Sequence, residues 1–172
     1  MKRIFFVLAM VCLAVVSFGQ TQYTSFNYKL YKMGFKAPSD FKVVKNTTTE
    51  FSINSTERGL TFFLRPVKED ASIDVSDAVE LAKMGMTSIN AQYTNVTNVD
   101  ESAVILSGGL SGYWMNGTAT DGATKINFWS MGVYNASSTM QFYGIAIFPV
   151  DRRSTTNGDI CRRILQSMQV IP

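Results

Sequence analysis

Three long stretches in the C-terminal half of the chain constrain its fold most strongly. They are rich in β-branched and aromatic residues and occupy residues 110–120, 124–134 and 139–148. Asp121 and Gly122 lie between the first two, and an Asp-Gly pair between alternating segments is a strong hairpin signal. Residues 135–138 supply the next reversal. Because consecutive strands joined by short loops run antiparallel, this pattern predicts an antiparallel meander.

The last of these strands is apolar on both of its sides. One side carries Phe142, Ala146 and Phe148, and the other carries Tyr143, Ile145 and Ile147. A sheet that is apolar on both faces must be covered on both faces. We therefore expect a layer on each side of the sheet.

Shorter segments elsewhere predict additional strands. In the first third of the chain they lie at residues 23–32, 41–44, 50–53 and 60–64. A further hairpin is predicted between residues 93–99 and 103–107, with its turn at residues 100–102.

The apolar spacing changes to the helical period from residue 72 to about residue 91. Asp74 is the expected N-cap, because its carboxylate can accept bonds from the unpaired amides of the first turn. The predicted core-facing stripe consists of Val75, Ala78, Val79, Ala82, Met86 and Ile89.

A second amphipathic helix is predicted from residue 156 to residue 170. Thr156 and Asp159 have the spacing of a capping box, with Asp in place of the usual Glu or Gln. Arg162 and Arg163 fall on the outward side. The predicted buried face consists of Ile160, Cys161, Ile164, Leu165 and Met168.

Together these elements predict an α+β fold: an antiparallel sheet meander with helices packed on it, arranged as an α/β/α sandwich. The chain has no internal repeat and no long linker. We therefore expect residues 20–172 to form a single α+β domain.

The N-terminus has the order of a secretory signal peptide. Lys2 and Arg3 precede an apolar run at residues 4–18, and we expect cleavage between Gly19 and Gln20. The run is shorter than the roughly 20 residues of a transmembrane anchor. A lipid anchor on Cys12 is less favoured, because lipoproteins carry a small residue where this chain has Val11.

Removal of residues 1–19 takes away two of the 16 basic residues and none of the 13 acidic ones, which leaves a net charge of +1. A nucleic-acid-binding protein normally has a clear basic excess. We therefore expect an exported protein, periplasmic or secreted, that binds no nucleic acid and has no transmembrane segment after cleavage.

The residue types needed for common catalysis are scarce. The chain has no histidine, the commonest general base and metal ligand. Cys161 is the only cysteine after Cys12 leaves, so no internal disulfide can form, and its helical position predicts a buried thiol rather than a nucleophile. We predict no catalytic residue, no metal site and no cofactor.

Four residues are candidate contacts for a ligand or partner. Trp114 and Trp129 could line a groove for sugar, lipid or peptide, although aromatic residues in strands are more often core. Arg152 and Arg153 could hold a carboxylate or phosphate, although a solvated turn would also explain them. The glycine-rich residues 108–112 are interpreted as a bend, because no helix follows them as a phosphate-binding loop requires.

Short segments spread along the chain resemble the PsbP/Mog1-like (DcrB-like) group of α/β/α sandwiches. They are Phe35-Lys-Ala-Pro38 with Phe41, Gly59-Leu-Thr-Phe-Phe-Leu64, Gly109-Leu-Ser-Gly112, Phe148-Pro149 and Ile164-Leu-Gln-Ser-Met168. The resemblance implies the sandwich fold and a role in binding or assembly rather than catalysis. It implies no particular functional residue.

Three hypotheses on function follow. The first is an exported, non-catalytic binding or assembly accessory protein whose partner is an unidentified envelope protein or other envelope component. The second is a carrier of a small apolar ligand, with a pocket between sheet and helix near Trp114 or Trp129. The third is a hydrolase that uses carboxylates, for which Glu69 with Asp70 and Asp100 with Glu101 are acidic pairs of no distinctive spacing.

Overall fold

The structure, a computed structural model, describes residues 21–67, 77–135 and 141–172. Its strands are β1 (Tyr23–Tyr28), β2 (Met33–Pro38), β3 (Lys42–Asn46), β4 (Phe51–Ser55), β5 (Leu60–Pro66), β6 (Thr94–Ile105), β7 (Ser111–Asp121), β8 (Thr124–Tyr134), β9 (Gln141–Pro149) and β10 (Gln169–Val170). The α-helices are α1 (Ala78–Gln92) and α2 (Ser154–Gln166), and Lys29–Tyr31 forms a 3-10 turn.

The large sheet is antiparallel throughout and has the strand order β3-β4-β5-β9-β8-β7-β6. The predicted meander is confirmed in β7, β8 and β9. Asp121 pairs with Thr124 across the predicted two-residue turn, and Gly122 has the positive φ of 57° that such a turn requires.

The predicted hairpin at residues 100–102 is wrong. β6 runs without a reversal from Thr94 to Ile105 and pairs with β7 along that length. It is an edge strand, so its polar residues face water, and two register shifts absorb its irregular pattern. The reversal follows at Gly108 and Gly109 (φ 71° and 77°), which confirms the glycine-rich bend.

The first helix begins later than predicted. Its N-cap is Asp77, whose carboxylate accepts hydrogen bonds from the amides of Val79 (2.8 Å) and Glu80 (3.0 Å). Asp74, the predicted cap, lies outside the described residues. The buried face also differs, because Val79 and Met86 are half-buried while Leu81 and Gly85 are buried.

The shift in the buried face follows from the close approach of α1 to β8. A Cβ atom placed on Gly132 would lie 1.9 Å from the carbonyl oxygen of Ala78. The Ser130 hydroxyl, on the same face of β8, donates a 2.6 Å hydrogen bond to the carbonyl of Ala82. Small residues on both elements therefore let the helix backbone lie directly on the sheet.

The second helix begins at Ser154, two residues before the prediction, and the predicted capping box is absent. Thr156 already lies inside the helix, and Asp159 instead pairs with Arg162 (3.2 Å). The Ser154 hydroxyl accepts bonds from the Asp151 amide (3.0 Å) and the Asn127 side chain (3.1 Å). The predicted buried face is confirmed, since all five of its residues are buried.

The helices cover opposite faces of the large sheet. Phe128 and Ile145 pack on the α1 side, whereas Trp129 and Phe148 belong to the core shared with α2. A small sheet of order β1-β2-β10 completes the α2 layer, and Phe35 on β2 meets the ring of Phe62 edge to face. The predicted α/β/α sandwich is therefore confirmed. Neither helix of the described residues is long and apolar enough to span a bilayer.

Candidate functional site

Trp114 and Trp129 lie together in the main core. They project from the neighbouring strands β7 and β8 toward α2, and their ring centroids are 4.7 Å apart. They are only 6 % and 5 % exposed. Most of both indoles is therefore packing surface, and Trp129 also borders an open cleft.

Arg152 and Arg153 are placed elsewhere, in the connection between β9 and α2. Arg153 forms an ion pair with Asp151 and donates to the carbonyl of Glu57 in the β4–β5 turn. The hydrogen bonds from Arg153 lower the pKa of the Asp151 carboxyl below its ordinary value. Arg152 is exposed. Neither arginine lines the cleft beside Trp129, so the four candidate residues do not form one site.

Two arginines on the outward side of α2, Arg162 and Arg163, lie over aromatic rings, as Arg65 of β5 does over Phe63. The guanidinium of Arg162 lies 5.9 Å from the centroid of the Trp129 ring. The guanidinium of Arg163 lies 5.8 Å from the centroid of the Tyr23 ring on β1. The two arginines therefore extend from α2 toward opposite neighbours, and each has a ring face against it.

Three clefts surround this part of α2. The first, of about 320 Å³, lies between α2 and the β7–β8 face, the second, of about 480 Å³, lies beside β1, and the third, of about 260 Å³, lies near the C-terminal end of α2. We call them together the α2 groove. Its principal side chains are Tyr23, Lys36, Trp129, Asp159, Arg162 and Arg163.

Lys36 reaches the groove because β2 is joined to the end of α2. The Lys36 amide donates to the Ser167 hydroxyl (2.8 Å), and that hydroxyl lies 3.3 Å from the Lys36 carbonyl. Among the described side chains that line the groove, Lys36, Arg162 and Arg163 are cationic and Asp159 is anionic. The ratio of basic to acidic side chains is thus three to one in the groove, against 16 to 13 in the whole chain.

The groove offers contacts for binding rather than acid–base chemistry. Its polar lining consists of hydroxyls, amides, one carboxylate and the three cations, with aromatic rings beneath. Cys161 lies on the opposite, fully buried face of the helix, and burial raises the pKa of its thiol far above the ordinary range. In the part of the chain that the structure describes, no three acidic or cysteine side chains are close enough to hold a metal ion.

Among the described residues outside the groove, Asp40 forms an extensive hydrogen-bond network. Burial alone would raise its pKa, but hydrogen bonds from Ser55 and Arg58 outweigh that effect and hold the pKa below its ordinary value. Arg58 binds both carboxylate oxygens, with its Nε at 3.0 Å from one of them. This network joins the β2–β3 connection to the β4–β5 turn and is structural in character.

Sequence reasoning placed Arg162 and Arg163 outward but did not connect them with a site. Their partners Tyr23 and Trp129 are far away in the sequence, and only the fold brings them to the two sides of α2. The available signal was the pair of adjacent arginines on an otherwise ordinary helix. It does not by itself distinguish a binding surface from a solvated one.

No protein-family model matches the chain, and no curated protein sequence matches it. Several solved structures, in contrast, are similar to the chain. The Ran-binding protein Mog1p of Saccharomyces cerevisiae is similar with a TM-score of 0.62 at 10 % identity, over 88 % of this chain and 97 % of that one. LpqN of Mycobacterium tuberculosis, described as involved in cell envelope biogenesis, is similar with a TM-score of 0.57 at 17 % identity, over 88 % and 91 % of the two chains.

A protein of Bacteroides thetaiotaomicron is also similar, with a TM-score of 0.53 at 9 % identity. That match covers 89 % of this chain and 49 % of the other. At these identities the likeness concerns the fold alone. The chain therefore has the PsbP/Mog1-like sandwich fold that its short sequence segments resemble.

Proposed function

We propose that this chain is an exported, non-catalytic accessory protein that binds another protein or an envelope component through the α2 groove. The observation that carries the proposal is the pairing of two outward arginines with ring faces on either side of one helix. Arg162 near the Trp129 ring and Arg163 near the Tyr23 ring both border open clefts. Arginine and aromatic residues are the types most enriched where binding energy concentrates.

Export is supported by the N-terminal sequence. A positive start, an apolar run at residues 4–18 and a small residue at Gly19 have the order of a cleaved signal. Cleavage there would release residues 20–172 as one α+β domain. The described fold needs neither a disulfide nor a metal, because apolar residues on both sheet faces are buried by the helices.

The similar folds agree with a binding role. Mog1p is a Ran-binding protein, and LpqN is involved in cell envelope biogenesis. One fold thus serves different functions, so the function of this chain must be argued from its own surface. For this chain, we assign partner binding to the α2 groove.

The carrier hypothesis receives less support from the geometry. The cleft beside Trp129 is open and is lined largely by polar side chains, among them Asn116, Asn127 and Arg162. Such a lining suits a polar ligand better than an apolar one. A hydrolase would need paired carboxylates in a cleft, and among the described residues that line the groove Asp159 is the one carboxylate.

Affinity capture tests the proposed function. The chain beginning at Gln20 is immobilised and exposed to an envelope extract of the producing cell, beside the double variant Arg162→Gln/Arg163→Gln. We expect wild type to retain a discrete component that the double variant loses. Circular dichroism should show the same fold for both, because neither arginine is buried.

Two results would refute the proposal. One is retention that is the same for wild type and the double variant, since the groove would then not be the binding surface. The other is turnover of a member of a hydrolase substrate panel by a protein that retains nothing from the extract.

A further inference from the structure

Neighbouring clefts of the α2 groove share lining residues. Asp159 borders both the cleft beside Trp129 and the cleft beside β1. Tyr23 and Arg163 border both the latter and the cleft near the end of α2. A ligand that extends from one cleft to the next would therefore meet Arg162, Arg163 and Lys36 in turn.

Both arginines combine a planar fork with a nearby aromatic ring. A guanidinium presents paired N–H donors in the plane that a carboxylate needs for bidentate bonding. The centroids of the Trp129 and Tyr23 rings lie 5.9 Å and 5.8 Å from the two guanidinium groups, within the range of a weak cation–π attraction. Arg162 further donates to Asp159 at 3.2 Å, which fixes its position along the helix.

The net positive charge of the groove favours a negatively charged partner. Lys36, Arg162 and Arg163 face a single carboxylate, Asp159, among the groove residues that the structure describes. A partner that offers carboxylates would replace solvent on Lys36 and Arg163 and would share Arg162 with Asp159. Complementary charge also speeds encounter. An extended peptide places alternate side chains on one side of its backbone, so one segment can direct several carboxylates toward the groove.

We propose that the α2 groove binds an extended acidic peptide segment of a partner protein, with carboxylates on Arg162, Arg163 and Lys36. This inference rests on the proposed function and adds the chemistry of the partner. A peptide fits better than an anionic membrane surface, because a peptide can place its carboxylates on the cations and away from Asp159. The carboxylate of Asp159 between them would also oppose a uniformly negative sheet of headgroups.

The probe is a fluorescein-labelled hexaglutamate peptide, titrated with the chain beginning at Gln20 and followed by fluorescence anisotropy at low salt. We expect saturable binding that weakens as salt is raised, and no binding of labelled hexaglutamine. Arg162→Gln/Arg163→Gln should weaken hexaglutamate binding at least about tenfold, which corresponds to two lost charge-assisted contacts. Lys36→Gln should weaken it several-fold.

The matched control removes the same charge elsewhere. Lys29→Gln/Lys42→Gln neutralises two exposed lysines that do not line the groove, and it should change hexaglutamate affinity less than twofold. Arg163→Lys keeps the charge but not the planar fork. It should bind hexaglutamate with an affinity between that of wild type and that of Arg163→Gln.

Two results would overturn the inference. One is an absence of hexaglutamate binding. The other is an equal loss of affinity in Arg162→Gln/Arg163→Gln and in Lys29→Gln/Lys42→Gln. Vesicles of phosphatidylcholine with and without phosphatidylglycerol are tested in parallel. Arginine-dependent binding to the anionic vesicles without binding to hexaglutamate would also overturn it. If envelope capture still needs Arg162 and Arg163 in either case, the proposed function stands and only the acidic peptide is refuted.

Discussion

At the scale of single residues, Gly132 and Gly158 differ in the space around them. A Cβ on Gly132 would overlap the Ala78 carbonyl oxygen at 1.9 Å, whereas a Cβ on Gly158 would lie 3.7 Å from the Trp129 ring, an ordinary contact. We expect Gly132→Ala to lower the free energy of unfolding by at least about 2 kcal/mol. Gly158→Ala should raise it by about 0.5–1 kcal/mol, because alanine favours the helix.

Urea denaturation of both variants checks this pair. Gly158→Ala serves as the control for the general effect of adding a methyl group to a glycine. A Gly132→Ala protein as stable as wild type would show that α1 does not lie against β8 as described.

The lowered pKa of Asp40 predicts how stability depends on pH. Since its pKa is lowered in the folded state, its contribution is present above the unfolded pKa and is lost as pH falls through the folded value. Asp40→Asn should lower the free energy of unfolding by about 1–2 kcal/mol at pH 7, where Ser55 and Arg58 bind the carboxylate. Toward pH 3 the free energies of unfolding of wild type and Asp40→Asn should converge.

Chemical denaturation at a series of pH values gives that difference directly. The changes that other carboxyls cause are shared by both proteins and cancel in the subtraction. A difference that stayed constant from pH 7 to pH 3 would show that the Asp40 network is not formed in solution.

At the scale of the elements, the start of α1 depends on Asp77. Asp77→Ala removes the acceptor of the Val79 and Glu80 amides and should lower the free energy of unfolding by about 1 kcal/mol. Asp77→Asn keeps a side-chain oxygen at the same place and should retain most of the stability. Thermal melts of wild type and the two variants measure this difference. Equal losses of stability in Asp77→Ala and Asp77→Asn would contradict the Asp77 cap.

The elements differ in how far their sequences predict them. The buried stripe of α2 was predicted correctly, because its apolar residues follow the helical period against one continuous core. β6 was misjudged as a hairpin, because a polar edge strand with bulges has no regular alternation to read. The face of α1 was partly misjudged, since the burial of Gly85 depends on Ser130 across the interface rather than on its own hydrophobicity.

At the scale of the whole molecule, the sandwich could be predicted and the candidate site could not. Short turns and apolar alternation determine which strands are neighbours, and these are local signals. The α2 groove depends on Tyr23 and Trp129 reaching α2 from distant parts of the chain. Arg153 was a candidate from the sequence, but Asp151 and the carbonyl of Glu57 together bind all three nitrogens of its guanidinium. Asp159 binds Arg162 through one nitrogen.

Export predicts a processed N-terminus. If the apolar run at residues 4–18 is a cleaved signal, protein recovered outside the cytoplasm should begin at Gln20. Intact-mass spectrometry of the exported protein measures this, with the precursor from cells blocked in secretion as its control. A mass that includes residues 1–19 would refute cleavage and favour a retained anchor.

Site-specific photo-crosslinking in intact cells tests the central claim, that the α2 groove is the binding surface, most directly. A photoreactive residue replaces either Gln166, which borders the groove, or Thr87, which is exposed on α1 across the sheet. The account predicts a discrete crosslinked species from position 166 that disappears with Arg162→Gln/Arg163→Gln, and none from position 87. Crosslinking from position 87 alone, or a species from position 166 that survives loss of both arginines, would contradict it.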